Sequence, residues 1–403
     1  MTSICHNEKE KEKEKGRNEN VDEYEYRNGY RDLKLKNLCS QIARKYSNIT
    51  ATSTSATSSV ISNFVTSNSF ITPNNISATF ANLIKIGDID IGITSDGIGT
   101  KIEIAERAGI YNTLGYDLVA MVVDDLICNG IIPLSIANVL DVDYLDANIV
   151  QELMSGLSNA AQRANIVISG GETAELGSSR INGYGKKMHF NWSATAIGYL
   201  PKGRSSIIDG KNIRGGDVVI AFKENGFRSN GFTLVRKILN GLSGGSGIEG
   251  NAWDLINIQE LLTPSTIYSP LLTKIIYEKN IPLKGIAHIT GGSFANKLGR
   301  VLDIGCSVGA SVGAYLDDLF APCELMREIG RMGGLSDEVM YSYFNMGNGM
   351  LLIASKDYGD EIISMAKENN YQAQVAGEII KERVIKIKSK SKSERVGVIK
   401  FNF

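Results

Sequence analysis

The stretch that most constrains the fold is Ile89–Lys101, IDIGITSDGIGTK. Its first six residues alternate between apolar and polar, the period of a strand with one buried face. The run stops in a turn carrying Asp96, Gly97, Gly99, Thr100 and Lys101. A carboxylate, two glycines, a hydroxyl and an ammonium leaving one strand end suit a metal–phosphate site. Glycine lets backbone N–H groups approach an anion, Lys101 offsets phosphate charge, and Asp96 can hold Mg2+. A Gly-rich turn that only caps a core strand is the plainer alternative, since so short a match is weak.

The same grammar recurs further on. In residues 112–130, Leu114, Leu118, Met121, Val122, Leu126 and Ile127 repeat at helical spacing, with Thr113 or Asn112 as N-cap and Gly130 as stop. Asp124 and Asp125 lie side by side in this apolar helix. Carboxylates there need solvent, donors or a cation. A strand over 133–141 and a helix over 147–164 follow, and then Ile166–Leu176, IVISGGETAEL: a short apolar strand, Gly170 and Gly171, then Glu172 and Thr173. Two strand ends bearing acid and glycine, with an acidic helix between them, form a coherent site for a nucleotide and a divalent metal. Residues 190–200 read as a further strand completing the first domain.

The second half opens with a turn and strand, IRGGDVVIAF, and a loop leading to a helix from about Thr233. Ser229, Asn230 and Gly231 at that helix start serve as a cap or hold an anion. His288 ends an apolar strand and meets Gly291 and Gly292, which open another helix. A strand histidine is usually a satisfied core residue; one beside a Gly-Gly helix start is a candidate ligand contact. The closing residues read as an edge strand or hairpin.

A formal net charge of −1 gives no reason to expect nucleic acid or an anionic membrane as partner. No apolar run reaches membrane length. Five scattered cysteines without a CxxC pair argue against disulfides and structural zinc, which points to the reducing cytoplasm. Residues 1–28 alternate Glu and Lys and are expected to be a disordered tail. Residues 29–75 are a poorly specified, Ser/Thr-rich lead-in. The folded domains are expected over 76–205 and 206–403.

SDGIGTK, the GYDLVAMVVDDL helix, GGETAE, SNGFTLVRKIL, LLTPSTIY, AHITGG and FNMGNGM together resemble, in order and spacing, the aminoimidazole ribonucleotide synthetases (phosphoribosylformylglycinamidine cyclo-ligases) over about residues 76–385. The resemblance implies a two-domain α/β synthetase. Its N-terminal strands join a partner's in a dimeric β-barrel, and a C-terminal α/β domain packs alongside. It also implies a homodimer that uses ATP and Mg2+ to close the ring of formylglycinamidine ribonucleotide. By motif, Asp96, Lys101 and His288 would be catalytic, and Asp96, Asp125 and Glu172 would face the metal. Gly97, Gly99, Thr100, Asp125, Gly170, Gly171, Glu172 and Thr173 would line the nucleotide. Arg228, Ser229, Asn230, Gly291 and Gly292 would face the substrate.

The chain departs from the family's pattern at several of these motifs. Arg228 stands for the usual histidine before Ser-Asn-Gly, Asp124 for asparagine, Ser293 for glycine, Thr266 for a basic residue and Ser342 for arginine. The segment before the first strand, TPNNISATFANLI, lacks the glycines that in the family help cover ATP. Two other readings stay open: another ATP-using relative such as a thiamine-phosphate kinase, and a catalytically weakened nucleotide-binding scaffold.

Overall fold

The computed structural model describes residues 71–73, 80–86, 88–201, 207–243, 251–309, 311–389 and 397–403. The charged tail and, apart from Ile71–Pro73, the Ser/Thr-rich lead-in lie outside them. The chain divides into units Met1–Pro73 and Asn74–Phe403, and the second carries every element below.

The first sheet contains β1 (Asn82–Ile86), β2 (Ile89–Gly97), β3 (Ile132–Val142), β4 (Val167–Glu175) and β5 (Phe190–Leu200), in spatial order β1-β2-β5-β3-β4. All neighbours are antiparallel except the parallel pair β3–β4. β5 comes last in the chain yet sits at the centre. β4 is left at an edge and is exposed along most of its length. Alternation along β5 buries Phe190, Trp192, Ala194 and Ala196 on one face and leaves Asn191, Thr195 and Ile197 open on the other. The helices α1 (Lys101–Ala108), α2 (Leu114–Cys128) and α3 (Ala147–Ala164) belong to this half of the chain.

The second sheet contains β6 (Val218–Lys223), β7 (Gly285–His288), β8 (Gly313–Leu316), β9 (Asn348–Ala354), β10 (Ala373–Ile380), β11 (Ile385–Lys388) and β12 (Val398–Phe401), in order β12-β11-β8-β10-β6-β9-β7. Strands β6 and β9 are continuous apolar runs because both faces are covered. Val219 and Ala221 join the core containing α4 (Phe232–Ser243) and α5 (Ser293–Ser307). Val218, Ile220 and Phe222 join a second core with Leu271, Leu272 and Ile362. The closing segment pairs as a hairpin, β11 with β12, as its composition suggested.

Helix α2 ties the halves together: it packs on β2, β5 and β3 and also on β7. Every residue of it except Tyr116 and Asp125 is buried, so it is apolar nearly all round instead of amphipathic. Thr113 occupies its N-cap position but makes no side-chain cap bond. The neighbouring α3 is capped by Asp146, whose carboxylate accepts from the N–H groups of Asn148 and Ile149. The two helices meet through glycines. A Cβ on Gly156 would come within 2.1 Å of the Asn112 carbonyl, and one on Gly115 within 2.2 Å of the Leu157 nitrogen. No helix among the described residues is long and apolar enough to cross a membrane.

Candidate active site

Three acidic residues of one helix locate the site. In α2 the polar residues Asp117, Asp124 and Asp125 interrupt an apolar cylinder, and each finds a different partner.

Asp117 takes Lys101, the last residue of the first motif. The Lys101 ammonium lies 2.8 Å from Asp117 Oδ2 and donates to the Thr263 carbonyl at 3.0 Å, with both side chains fully buried. Ser265 Oγ donates to the same carboxylate. Lys101, expected from the sequence to meet phosphate, therefore has its charge matched inside the protein and ties α1 and α2 to the 263–265 loop. The spacing of SDGIGTK could not show this, because it says nothing of which way the first side chain of α1 points. Thr100 lies beside the second half of the chain, with its hydroxyl 3.3 Å from that of Thr233.

Asp124 is fully buried and takes Arg228. Its Oδ1 accepts from the N–H groups of Tyr268 and Ser269, both at 2.9 Å, and its Oδ2 lies 3.2 Å from the guanidinium. Burial pushes this carboxyl up to about 7, while Arg228 and the two N–H groups favour its ionised form. Arg228 itself is enclosed. It donates to Glu224 at 2.7 Å and to the Thr266 carbonyl at 2.9 Å, and its ring neighbour is Tyr268. Burial alone would lower the guanidinium's pKa, but Glu224 and Asp124 outweigh it and the net shift is upward. Arg228 was expected at the substrate, but its charge is spent on these partners. Three departures from the family's pattern, Asp124, Arg228 and Thr266, thus meet in one cluster.

Asp125 alone of the three reaches the surface, with 13% of its side chain exposed. Its Oδ1 lies 2.6 Å from Nδ1 of His288, whose Nε2 lies 2.6 Å from Arg228. Burial, reinforced by the Arg228 charge, lowers the imidazole to about 4, against the pull of Asp125, so the ring is neutral at pH 7.

Asp96 ends β2 exposed and accepts from the Gly97 N–H at 2.7 Å. It is in register with Ala194 of β5, which pairs with Asn138 of β3. Asp96 therefore points to the helix-covered face, toward α2 and α5. Lys297 of α5 is electrostatically coupled to both Asp125 and Asp96. They raise its pKa, but burial, the larger effect, and Arg300 lower it overall. Lys297 and Arg300, set i and i+3 on α5, flank Phe80 at 5.5 and 5.6 Å. Sequence reasoning missed both. Their only signal was a basic pair at helical spacing after Gly291-Gly292.

Glu172 is elsewhere. β4 continues through the whole GGETAE motif, which therefore lies within a strand instead of after one. Glu172 is in register with Val139 and Ser193, on the open face, one residue out of step with Asp96. It is also three strands away, roughly 14 Å at ordinary strand spacing. Within one chain the two acid–glycine strand segments do not converge, and Gly170, Gly171 and Thr173 share the edge strand with Glu172.

The remaining expected residues form two facing turns. Arg228 (φ 57°) and Gly231 (φ 86°) shape the first, Gly292 (φ 80°) and Ser293 (φ 44°) the second. A Cβ on Gly291 would lie 3.2 Å from Asn230 Nδ2. Ser229 Oγ and Asn230 Oδ1 are buried without hydrogen-bond partners, so neither caps α4. Ser293 Oγ donates to the Phe344 carbonyl.

Comparison with known proteins places the chain in a family. Residues 80–200 match the model of the N-terminal domain of AIR synthase related proteins, and residues 214–390 that of their C-terminal domain. The chain is 34% identical over 321 residues to a phosphoribosylformylglycinamidine cyclo-ligase of Methanocaldococcus jannaschii, covering 80% of this chain and 87% of that one. It is 33% identical to the chloroplastic enzyme of that name from Arabidopsis thaliana, covering 75% and 74%. Among solved structures it shares its fold with a chain of the HypE–HypF complex (TM-score 0.55, 17% identity, 84% and 97% covered). It also shares it with PurL of Thermotoga maritima complexed with ADP (0.51, 14%, 82% and 46%). With both domain models matched in order and a third of the residues shared across most of each relative, the chain belongs to the phosphoribosylformylglycinamidine cyclo-ligase family.

Proposed function

We propose that this chain converts formylglycinamidine ribonucleotide and ATP to aminoimidazole ribonucleotide, ADP and phosphate, in de novo purine biosynthesis in the cytoplasm. The formyl-amide oxygen attacks the γ-phosphorus of ATP and releases ADP. The substrate's amidine nitrogen then attacks the activated carbon, and phosphate leaves with the carbon–oxygen bond electrons as the nitrogen loses its proton. Such chemistry asks the protein mainly to position reactants and offset charge.

The observation that carries this reading is placement: Asp96 is exposed at the end of β2 on the helix-covered face, Asp125 is the one acid of α2 that reaches the surface, and both charges act on Lys297. The donors suit Mg2+, which takes one or two carboxylates and completes its octahedron with phosphate oxygens and water. Among the described residues, no three acids, cysteines or histidines gather into an all-protein cage. Held by Asp96 and Asp125, Mg2+ would offset charge on the ATP phosphates. The turns at Gly97–Thr100 bring backbone donors to the nucleotide. Ser229 and Asn230, whose side-chain oxygens lack partners, face the ribonucleotide across Gly291 and Gly292. His288, with both ring nitrogens engaged, orients Asp125 instead of carrying protons.

We assign Glu172 and its neighbours to a homodimer. The open face of the first sheet exposes Val139, Ile197 and, at the edge, Val167 at 63%. Two such faces closing on each other make a dimeric barrel and place Gly170, Gly171, Glu172 and Thr173 at the subunit boundary, where a nucleotide could be reached from the second copy. Ile197→Glu is expected to convert a dimer to a monomer by size-exclusion light scattering. An unchanged dimer would assign assembly to another face.

The reaction is tested by ADP release with ATP, Mg2+ and formylglycinamidine ribonucleotide together. One ADP is expected per aminoimidazole ribonucleotide formed, and none when the ribonucleotide is omitted. Nucleotide binding with no ADP released would overturn the enzyme and leave a scaffold.

A further inference from the structure

The Arg228 guanidinium does more than neutralise two buried acids. It lies 2.6 Å from His288 Nε2, and a guanidinium has only N–H donors and no acceptor. Nε2 must then be the bare, accepting nitrogen. In a neutral ring the proton is left on Nδ1, which faces Asp125 Oδ1 at 2.6 Å and donates to it. The chain Arg228 to His288 to Asp125 therefore has one polarity throughout.

The geometry points to Arg228 as a positioning residue that fixes the tautomer of His288 and, through it, the aim of Asp125. The guanidinium is itself held on three further sides: by Glu224 at 2.7 Å, the Thr266 carbonyl at 2.9 Å and Asp124 at 3.2 Å. Its residue adopts the left-handed backbone at φ 57°, rare for a residue with a Cβ, which turns the side chain inward between α2 and β7. His288 is fully buried at the end of β7 and paired there with Met350. The ring cannot swing to choose another partner. With Oδ1 held by the Nδ1–H, Asp125 has its second oxygen left for another partner. A histidine whose other nitrogen is pinned is a common way to orient a ligand carboxylate or imidazole. That this oxygen serves a metal–nucleotide rests on the function proposed above; the tautomer does not.

The test uses the full chain with 15N-labelled histidine. The sequence has three histidines, and His288→Gln identifies the signals of the third. In the unsubstituted protein His288 is expected to show a protonated Nδ1 and a bare Nε2. An Nε2–H ring, or one protonated at both nitrogens at pH 7, overturns the proposal. Arg228→Lys keeps a cation but loses the fork. Should it fail to fold, Arg228→Met with Glu224→Gln removes one charge of each sign. In the folded variant the Nδ1–H form should give way to a mixture. Mn2+ bound together with a non-hydrolysable ATP analogue, followed by electron paramagnetic resonance, should loosen about 10- to 100-fold. An unchanged tautomer and unchanged Mn2+ affinity reduce Arg228 to a counter-ion and sink the idea. The expected tautomer in an unsubstituted protein that binds no Mn2+–nucleotide would uphold the positioning role and overturn the metal reading alone.

Discussion

Replacing Asp96 by asparagine is expected to lower turnover by about 100-fold or more while leaving the thermal midpoint nearly unchanged. Asparagine keeps the Oδ1 that accepts the Gly97 N–H and puts a neutral amide nitrogen in place of the second oxygen. Asp96 is exposed at the end of β2, so little packing depends on it. What depends on its charge is its electrostatic attraction to Lys297, which Asp125 shares. On the function proposed, the phosphates and their metal would then meet one carboxylate instead of two. Turnover and midpoint should be measured on the same preparation. A midpoint that falls in step with activity would make Asp96 structural.

Lys101→Met is expected to do the opposite, costing stability first. It leaves Asp117 fully buried and without its cation, a change worth about 3–5 kcal/mol. In a unit of this size that corresponds to a fall in melting temperature of roughly 4–7 °C. Adding Asp117→Leu removes the stranded carboxylate and should recover most of the loss, because a buried pair replaced by apolar residues is often neutral. Activity should return with the fold. If Lys101→Met melts normally but loses ATP, the lysine meets phosphate after all and the ion pair matters little.

The two residues come from one motif and were read alike in the sequence. Their separation shows where such reading stops. Elements were legible because each depends on local periodicity: the alternation of Ile89–Thr94, the helical spacing from Leu114 to Ile127, and the apolar runs before His288 and at Val218–Phe222. Helix α3 was read with its observed bounds for the same reason. The site was legible as a set of residue types. Asp125 and His288, 163 positions apart, were both singled out and do meet.

What stayed hidden was direction and register. Asp96 and Glu172 each follow an apolar strand with glycine beside them, yet they project from opposite faces of one sheet. A single step in register decides that, and no local pattern records it. Nor did the sequence announce that β5 would insert between β2 and β3 and push the GGETAE strand to the edge. Arg228 could be seen as a departure, and so could Asp124 and Thr266, but not as one departure.

By itself the sequence determined the elements, the family and the chemical types at the site, because periodicity, turn residues and ordered motifs are properties of neighbours along the chain. Only the tertiary structure decided which charges face the cleft and which are enclosed. That depends on sheet order, on the facing of α2 between two sheets, and on which cation desolvation forces beside which acid. By that reasoning SDGIGTK is divided: Asp96 is left exposed at the strand end, and Lys101 is drawn inward to hold the halves together.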